Sequence, residues 1–291
     1  MMAVLTREEI DRFWRDGYLT VPNAVTPENL AALKRDFAAW VGESRAETGP
    51  YGDCIDGRPR FDLQPGHAAT RPALRPVQAQ TEFSDAYFEA MARSRMASMV
   101  ADLIGPDVEL HHTKINSKLP CGATEVKWHQ DFCFTPHSNS DVVTALLMVD
   151  DVTPDNGPLE VAAGSHKGDL HPIWQDGIFT DAIDDDNAAA MQVRAETCLG
   201  PAGSVCLMHT RLAHGSAPNR SASPPHPFHL CLFSRRRRAP DAKSRADHPS
   251  GPVRGGEDRG VIRSEPCEML RPQYPKTSFF AQQSAAERAA R

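Results

Sequence analysis

From residue 108 onward the chain is written as short apolar runs, and this limits the folds open to it more than any other feature. Val108 to Asn116, Val126 to Phe134, Val142 to Val149, Leu159 to Ala162, Gln192 to Thr197 and Ser204 to Met208 read as β-strands, parted by Gly, Pro, Asn and Asp. Strands this short cannot enclose a core singly and have to be layered, sheet upon sheet.

The first hundred residues have a different rhythm. Thr6-Arg7-Glu8-Glu9 is a capping-box pattern with Ile10, Phe13 and Trp14 behind it at helical spacing, and Asp16-Gly17 is a stop. Tyr18 to Pro22 reads as a brief strand, and Thr26-Pro27-Glu28-Asn29 opens a second helix with Leu30, Leu33, Phe37 and Trp40 on one face. Tyr51 to about Pro76 has no period and reads as loop, and a third helix is expected from about Ser84 to Ile104, ended by Gly105-Pro106. Helices first and many strands afterwards predict a mainly β antiparallel sandwich or jelly roll with helices packed outside. A chain of 291 residues with 40% apolar content suits one large core. The expectation is a single domain over residues 1–280, with a helical annex and loops over 1–107, a β core over 108–280, and a mobile tail at 281–291.

Composition excludes several functions. The net charge is −6 and the one basic run, Arg235 to Arg238, has no interleaved aromatics to stack bases, so nucleic acid is not an expected partner. The N-terminus turns polar at once, unlike a secretory signal, and no apolar run approaches the roughly 20 residues of a membrane span. Seven cysteines without a Cys-x-x-Cys pair argue against a disulfide framework or thiolate zinc site. A cytoplasmic protein is expected.

The chemistry centres on Trp128-His129-Gln130-Asp131-Phe132. On a strand, His129 and Asp131 would share a face and could grip one cation. The pair alone decides little, since with 12 histidines about one His-x-Asp arises by chance. A turn at Gly203 leads into a later apolar strand and then to His209 and His214. Two histidines and a carboxylate, the third ligand arriving from another strand, make the facial triad of non-haem iron oxygenases, which leaves coordination positions open for a keto acid and dioxygen. His111, His112, His166, His171 and His209 are set aside as hydrogen-bonded or surface groups. Trp128, Phe132 and Phe134 flank the metal strand and could shape a pocket, although aromatics at strand spacing are more often core.

These motifs occur together and in order: Gly17-Tyr18-Leu19-Thr20-Val21-Pro22, His129-Gln130-Asp131, Asp155-Asn156-Gly157-Pro158-Leu159-Glu160-Val161 with Gly164-Ser165-His166-Lys167, and His214-Gly215-Ser216 with Asn219. In them the chain resembles the phytanoyl-CoA dioxygenase family over almost its whole length. The resemblance implies a double-stranded β-helix, Fe(II) held by His129, Asp131 and His214 as the catalytic centre, and 2-oxoglutarate as co-substrate. It also implies cofactor contacts at Asn116 and Lys118 on the strand before the dyad, and at Gln130 and Ser216 within the motifs. The activity implied is hydroxylation of a small organic molecule with dioxygen, releasing succinate and CO2. Retention of Asp131 favours oxidation over halogenation, because related halogenases vacate that position.

One departure stands out. The family anchors the distal carboxylate of 2-oxoglutarate with an arginine 11 residues after the second histidine, where this chain has Pro225. A bidentate guanidinium is hard to replace there. Gaining one nucleotide in the arginine codon of Pro-Arg-Thr-Leu-Phe-Ile-Cys-Val-Tyr-Ser would produce the text from Pro224 to Ser234, so residues from about 225 to about 255 are read as out of frame. The visible text there is broken by proline and runs into four arginines, a poor final strand. The other reading is divergence, with Arg220, Arg235 or Lys118 supplying the charge. Two competing functions follow: a catalytically impaired or non-catalytic metal- and ligand-binding relative, and a cupin-like zinc or manganese enzyme, which the lack of a His-x-His pair disfavours.

Overall fold

The computed structural model describes residues 3–222, apart from 56, 107, 119–124, 138–139 and 176–177, together with the backbone of 227–234, 261–264 and 267–270. The chain opens with helix α1 (Arg7–Asp16), strand β1 (Tyr18–Val21) and helix α2 (Pro27–Ser44). Strands β2 (Tyr51–Ile55), β3 (Arg58–Leu63) and β4 (Leu74–Gln78) come next, then helices α3 (Asp85–Ala92) and α4 (Arg95–Ile104). Strands β5 (Val108–Asn116) and β6 (Val126–Gln130) lead to a single helical turn, α5 (Asp131–Phe134). After β7 (Val142–Met148) and β8 (Leu159–Ala162), a short hairpin of β9 (Trp174–Gln175) and β10 (Ile178–Phe179) precedes helix α6 (Asp185–Val193). The remaining strands are β11 (Ala195–Cys198), β12 (Val205–His209), β13 (Ala213–Ser216), β14 (Pro227–Ser234), β15 (Val261–Ser264) and β16 (Cys267–Leu270).

The capping box forms as read: Thr6 accepts from the Glu9 amide while the Glu9 carboxylate accepts from the Thr6 amide, and Gly17 ends α1 in the left-handed region at φ 84°. Only glycine serves there, because a Cβ would also run into the His166 ring.

Two antiparallel sheets face each other. The larger has the order β1-β12-β7-β14-β5-β4-β3-β2 and the smaller β11-β8-β13-β6. Alternation along the strands sorts the side chains into layers. Tyr18, Leu146, Met148, Leu159, Val161, Cys206 and Met208 fill the space between the sheets. Leu19, Val143, Ala145, Leu147, Val205 and Leu207 face outward, where the helices cover them with Phe13, Leu33, Phe37, Met99 and Val100. Each such side chain contributes about 1.5–3 kcal/mol through burial. The outer face of the small sheet, Trp128, Ala162 and Ala213, packs on Ile183 and on Met191 of α6. The jelly roll with outside helices is therefore the fold.

Several boundaries differ from the sequence reading. Residues 51–76, expected as loop, supply β2, β3 and β4, and β1 joins the larger sheet through Tyr18 opposite Met208, so the first hundred residues extend the core sheet as well as covering it. The strand signal was hidden because Arg60, Asp62 and Arg75 are themselves buried, where alternation would place apolar residues. The third helix is two, interrupted where the Ser94 hydroxyl bonds back to the Ala90 carbonyl and the backbone extends before α4. Residues 192–193 end α6 and do not begin β11. The run from Pro225, expected as a poor strand, supplies β14 in the middle of the larger sheet, with Phe228 opposite both Ile115 and Leu147. Pro227 is its first residue, a position that strands tolerate. Pro225, Arg235 and the tail at 281–291 lie outside the described residues.

Candidate metal centre

The small sheet brings the first two candidate ligands together by register. β13 pairs with β6 so that His214 stands directly opposite His129, their ring centroids 4.2 Å apart. Asp131 does not reach them by strand alternation, as the sequence reading had it. β6 ends at Gln130, and Asp131 begins the helical turn α5, held by the Phe132 amide on the Thr210 carbonyl and the Thr135 amide on the Asp131 carbonyl. The turn swings the carboxylate back over the imidazoles. Asp131 Oδ1 is 3.6 Å from His129 Nε2 and 3.7 Å from His214 Nε2, and one donor atom from each of the three lies within 4.8 Å of the others. Among the described residues no other set of three His, Cys, Asp or Glu side chains meets that condition.

The surroundings aim these atoms. His129 Nδ1 lies 2.8 Å from the Lys127 carbonyl and His214 Nδ1 lies 2.9 Å from the Leu212 carbonyl, so in both rings the proton sits on Nδ1 and the Nε2 lone pair is turned to the centre. Thr144 on β7 donates to Asp131 Oδ2 at 2.7 Å and turns Oδ1 toward the imidazoles. Burial, then the neighbouring His129, pushes the His214 pKa down to about 4 against the pull of Asp131, so the ring is neutral at pH 7 as a ligand must be. Ligands about 2.1 Å from one ion lie about 3–4 Å apart, which is the spacing of Asp131 Oδ1 from both imidazoles, and two imidazoles with one carboxylate are a donor set for Fe(II). The residues fit the metal.

The other expected contacts are distributed unevenly. Asn116 is half-buried at the end of β5. Lys118, just beyond it, is buried and its ammonium donates to the Gly157 carbonyl at 3.2 Å and to the Ala217 carbonyl. Burial, reinforced by Arg75, pushes its pKa down to about 7, with Glu160 and Glu125 opposing. Gln130, read as a cofactor contact, points to the other side of β6. Its amide donates to the Asp169 and Arg211 carbonyls and accepts from the His171 amide, so it fixes a loop instead. Ser216, across a bulge from His214, lines a cleft of about 650 Å³ with Trp128, Glu160, Gln192 and Ala217, a cleft to which none of the three metal-site residues contributes. Arg220 is exposed.

Of the flanking aromatics, Trp128 and Phe132 are core, and Trp128 donates to Gln192 at 3.0 Å. Phe134 sets its edge against His129 at 5.4 Å, and Phe179 and Trp174 continue that wall at 6.1 and 5.2 Å. Thr144 was missed, although it is the one polar residue in the run Val142 to Met148 and so carried a signal. The spare histidines pair with one another and none joins the cluster of three: His111 with His112 and His137, and His166 with His209.

Likeness to known proteins follows the same residues. The pattern of the family described as phytanoyl-CoA dioxygenase (PhyH) matches residues 13–226. A probable alpha-ketoglutarate-dependent hypophosphite dioxygenase of Stutzerimonas stutzeri is 31% identical over 225 residues, 76% of this chain and 74% of that protein. An L-proline trans-4-hydroxylase of Streptomyces griseoviridis is 27% identical over 233 residues, 72% of this chain and 80% of the relative. Among solved structures, EctD from S. alaskensis with 2-oxoglutarate and 5-hydroxyectoine superposes with a TM-score of 0.66 at 22% identity, covering 81% of this chain and 79% of that one.

Proposed function

Because the chain belongs to the phytanoyl-CoA dioxygenase family, a family of Fe(II)- and 2-oxoglutarate-dependent dioxygenases, we propose that it hydroxylates a small organic molecule, converting the keto acid to succinate and CO2. The single observation that carries the reading is the convergence of His129, Asp131 and His214. These three would hold Fe(II), which when bound supplies the oxidising chemistry of dioxygen. The protein's part is positional: the Lys127 and Leu212 carbonyls fix the tautomers, Thr144 fixes the carboxylate, and Phe134 shields His129 on the pocket side. Asn116 and Lys118, at the end of β5, are the keto-acid contacts in this reading. Lys118 supplies a buried amine that a carboxylate would hold in its charged form, and among the described residues its hydrogen bonds go to the Gly157 and Ala217 carbonyls. The substrates named for the relatives, hypophosphite and L-proline, are small molecules. The test is succinate formation by purified protein with Fe(II), 2-oxoglutarate, oxygen and a library of small metabolites. Stimulation by a library member, with one hydroxyl gained per succinate, is the expected result; oxygen-independent turnover would refute it.

A second reading is favoured by one observation: the family match stops at residue 226, where the displaced frame was placed. In that reading the chain as written is catalytically impaired and binds its ligands without efficient turnover. Resequencing the source gene across codons 220–260 decides it, since an intact frame with no arginine codon near position 225 ends the idea.

A further inference from the structure

Two charged side chains stand beside the metal centre without an ion pair or hydrogen bond to any described residue: Lys114 and Asp181. Lys114 lies on β5, two positions from Asn116 and on the same face, opposite to Ile115, which packs in the outer core beneath the helices, so its side chain is on the face turned to the smaller sheet that carries His129 and His214. Asp181 lies in the link between β10 and α6, and its neighbours fix where that link sits. On one side Phe179 packs on Phe134, which packs on His129; on the other the Ile183 amide donates to the Trp128 carbonyl at 3.0 Å, one residue from His129. Thr180 ties the bend down through the Ile173 and Ala182 carbonyls. Asp181 itself is held in the left-handed region at φ 60°, a conformation that costs energy and recurs where a side chain has to be aimed. Burial raises its pKa, and the charges that pull it back are His129, Lys114, Arg58 and Lys127.

A confined charge with no partner is unfavourable, and a binding pocket is where it persists, because the ligand supplies the partner. Lys114 and Lys127 alone would suit a simple anion, but a carboxylate beside them repels one. A simple cation meets Lys114. We propose that the substrate is a small zwitterion, its anionic group on Lys114 and its protonated amine on Asp181, with the carbon between them turned to the metal centre against Phe134 and Phe179. This rests on the oxygenase reading and narrows its substrate class.

The test is anaerobic calorimetric titration of the protein carrying Fe(II) and 2-oxoglutarate. The probes are the free amino acids and small betaines, each beside the analogue lacking the amine and the one lacking the carboxylate. At least one zwitterion should bind ten-fold or more tighter than both of its analogues, the worth of about one charge-assisted hydrogen bond. Asp181→Asn should abolish the preference over the amine-free analogue, and Lys114→Met the preference over the carboxylate-free one, each with near-ultraviolet circular dichroism unchanged. An analogue of single charge that binds as well as its zwitterion overturns the proposal. So does silence across the panel while the visible band of chelated keto acid is present. Absence of that band in the unmodified protein would instead remove the oxygenase reading beneath it.

Discussion

The two ends of the site are built differently. At the metal end, the Nδ1 atoms of His129 and His214 and the Oδ2 of Asp131 all have protein partners, which leaves one donor atom of each directed at a shared point. At the other end, which the proposed function assigns to the keto acid, the buried Lys118 rests on the Gly157 and Ala217 carbonyl oxygens. The first end is organised before any ligand arrives. In the proposed reading the second is completed by the ligand. A preorganised site loses function when one atom is removed, whereas an incomplete one should reveal itself through pH and through ligand-dependent stability.

The largest effect is expected from Asp131→Ala or His214→Ala, which should weaken Fe(II) binding by more than about 100-fold, beyond the 10–100-fold range of outer-shell changes, measured by anaerobic titration. Thr144→Val tests whether the supporting bond matters. It should cost about ten-fold in Fe(II) affinity while leaving the fold intact by circular dichroism. At the other end the prediction is one of sign. Lys118 has a folded pKa of about 7, below its unfolded value of about 10.4, so between those limits the unfolded chain holds the extra proton and stability should rise with pH. Urea midpoints measured from pH 6.5 to 10 should show the rise, and Lys118→Met should flatten it. Saturating 2-oxoglutarate should move its onset to higher pH, since a carboxylate partner restores the charge. The smallest effect belongs to the outer face: Gln192→Ala leaves the Trp128 indole N–H without its acceptor and should cost about 1 kcal/mol with Fe(II) affinity unchanged.

The sequence carried the fold where physics is local. The capping box at Thr6, the stop at Gly17 and the strands at Val108 to Asn116 and Leu159 to Ala162 all emerge at those places. It concealed β2 to β4, because those strands bury arginine and aspartate, and the core sheet they extend is recognisable only once β5 is beside them. The metal triad was legible as a set of residues, since His129-Gln130-Asp131 and His214 stand in order. Its geometry was not. Asp131 arrives through a helical turn anchored on Thr210, a contact between residues far apart in sequence that no alternation rule contains. Gln130 shows the converse: a polar residue between two ligands invites a role at the cofactor, yet a strand turns it to the opposite side, where three backbone groups take up its amide. Asp181 had no sequence signal, for its place depends on the aromatic contacts of Phe179 and on a strained backbone.

The central claim is that three side chains hold one iron atom and leave room on it for the keto acid. Anaerobic addition of Fe(II) and then 2-oxoglutarate, followed by visible absorption, tests it most directly. The unmodified protein should develop the metal-to-keto-acid charge-transfer band with one iron per chain, and Asp131→Ala should not. A chain that binds no iron, or a band that survives in Asp131→Ala unchanged, would contradict the account.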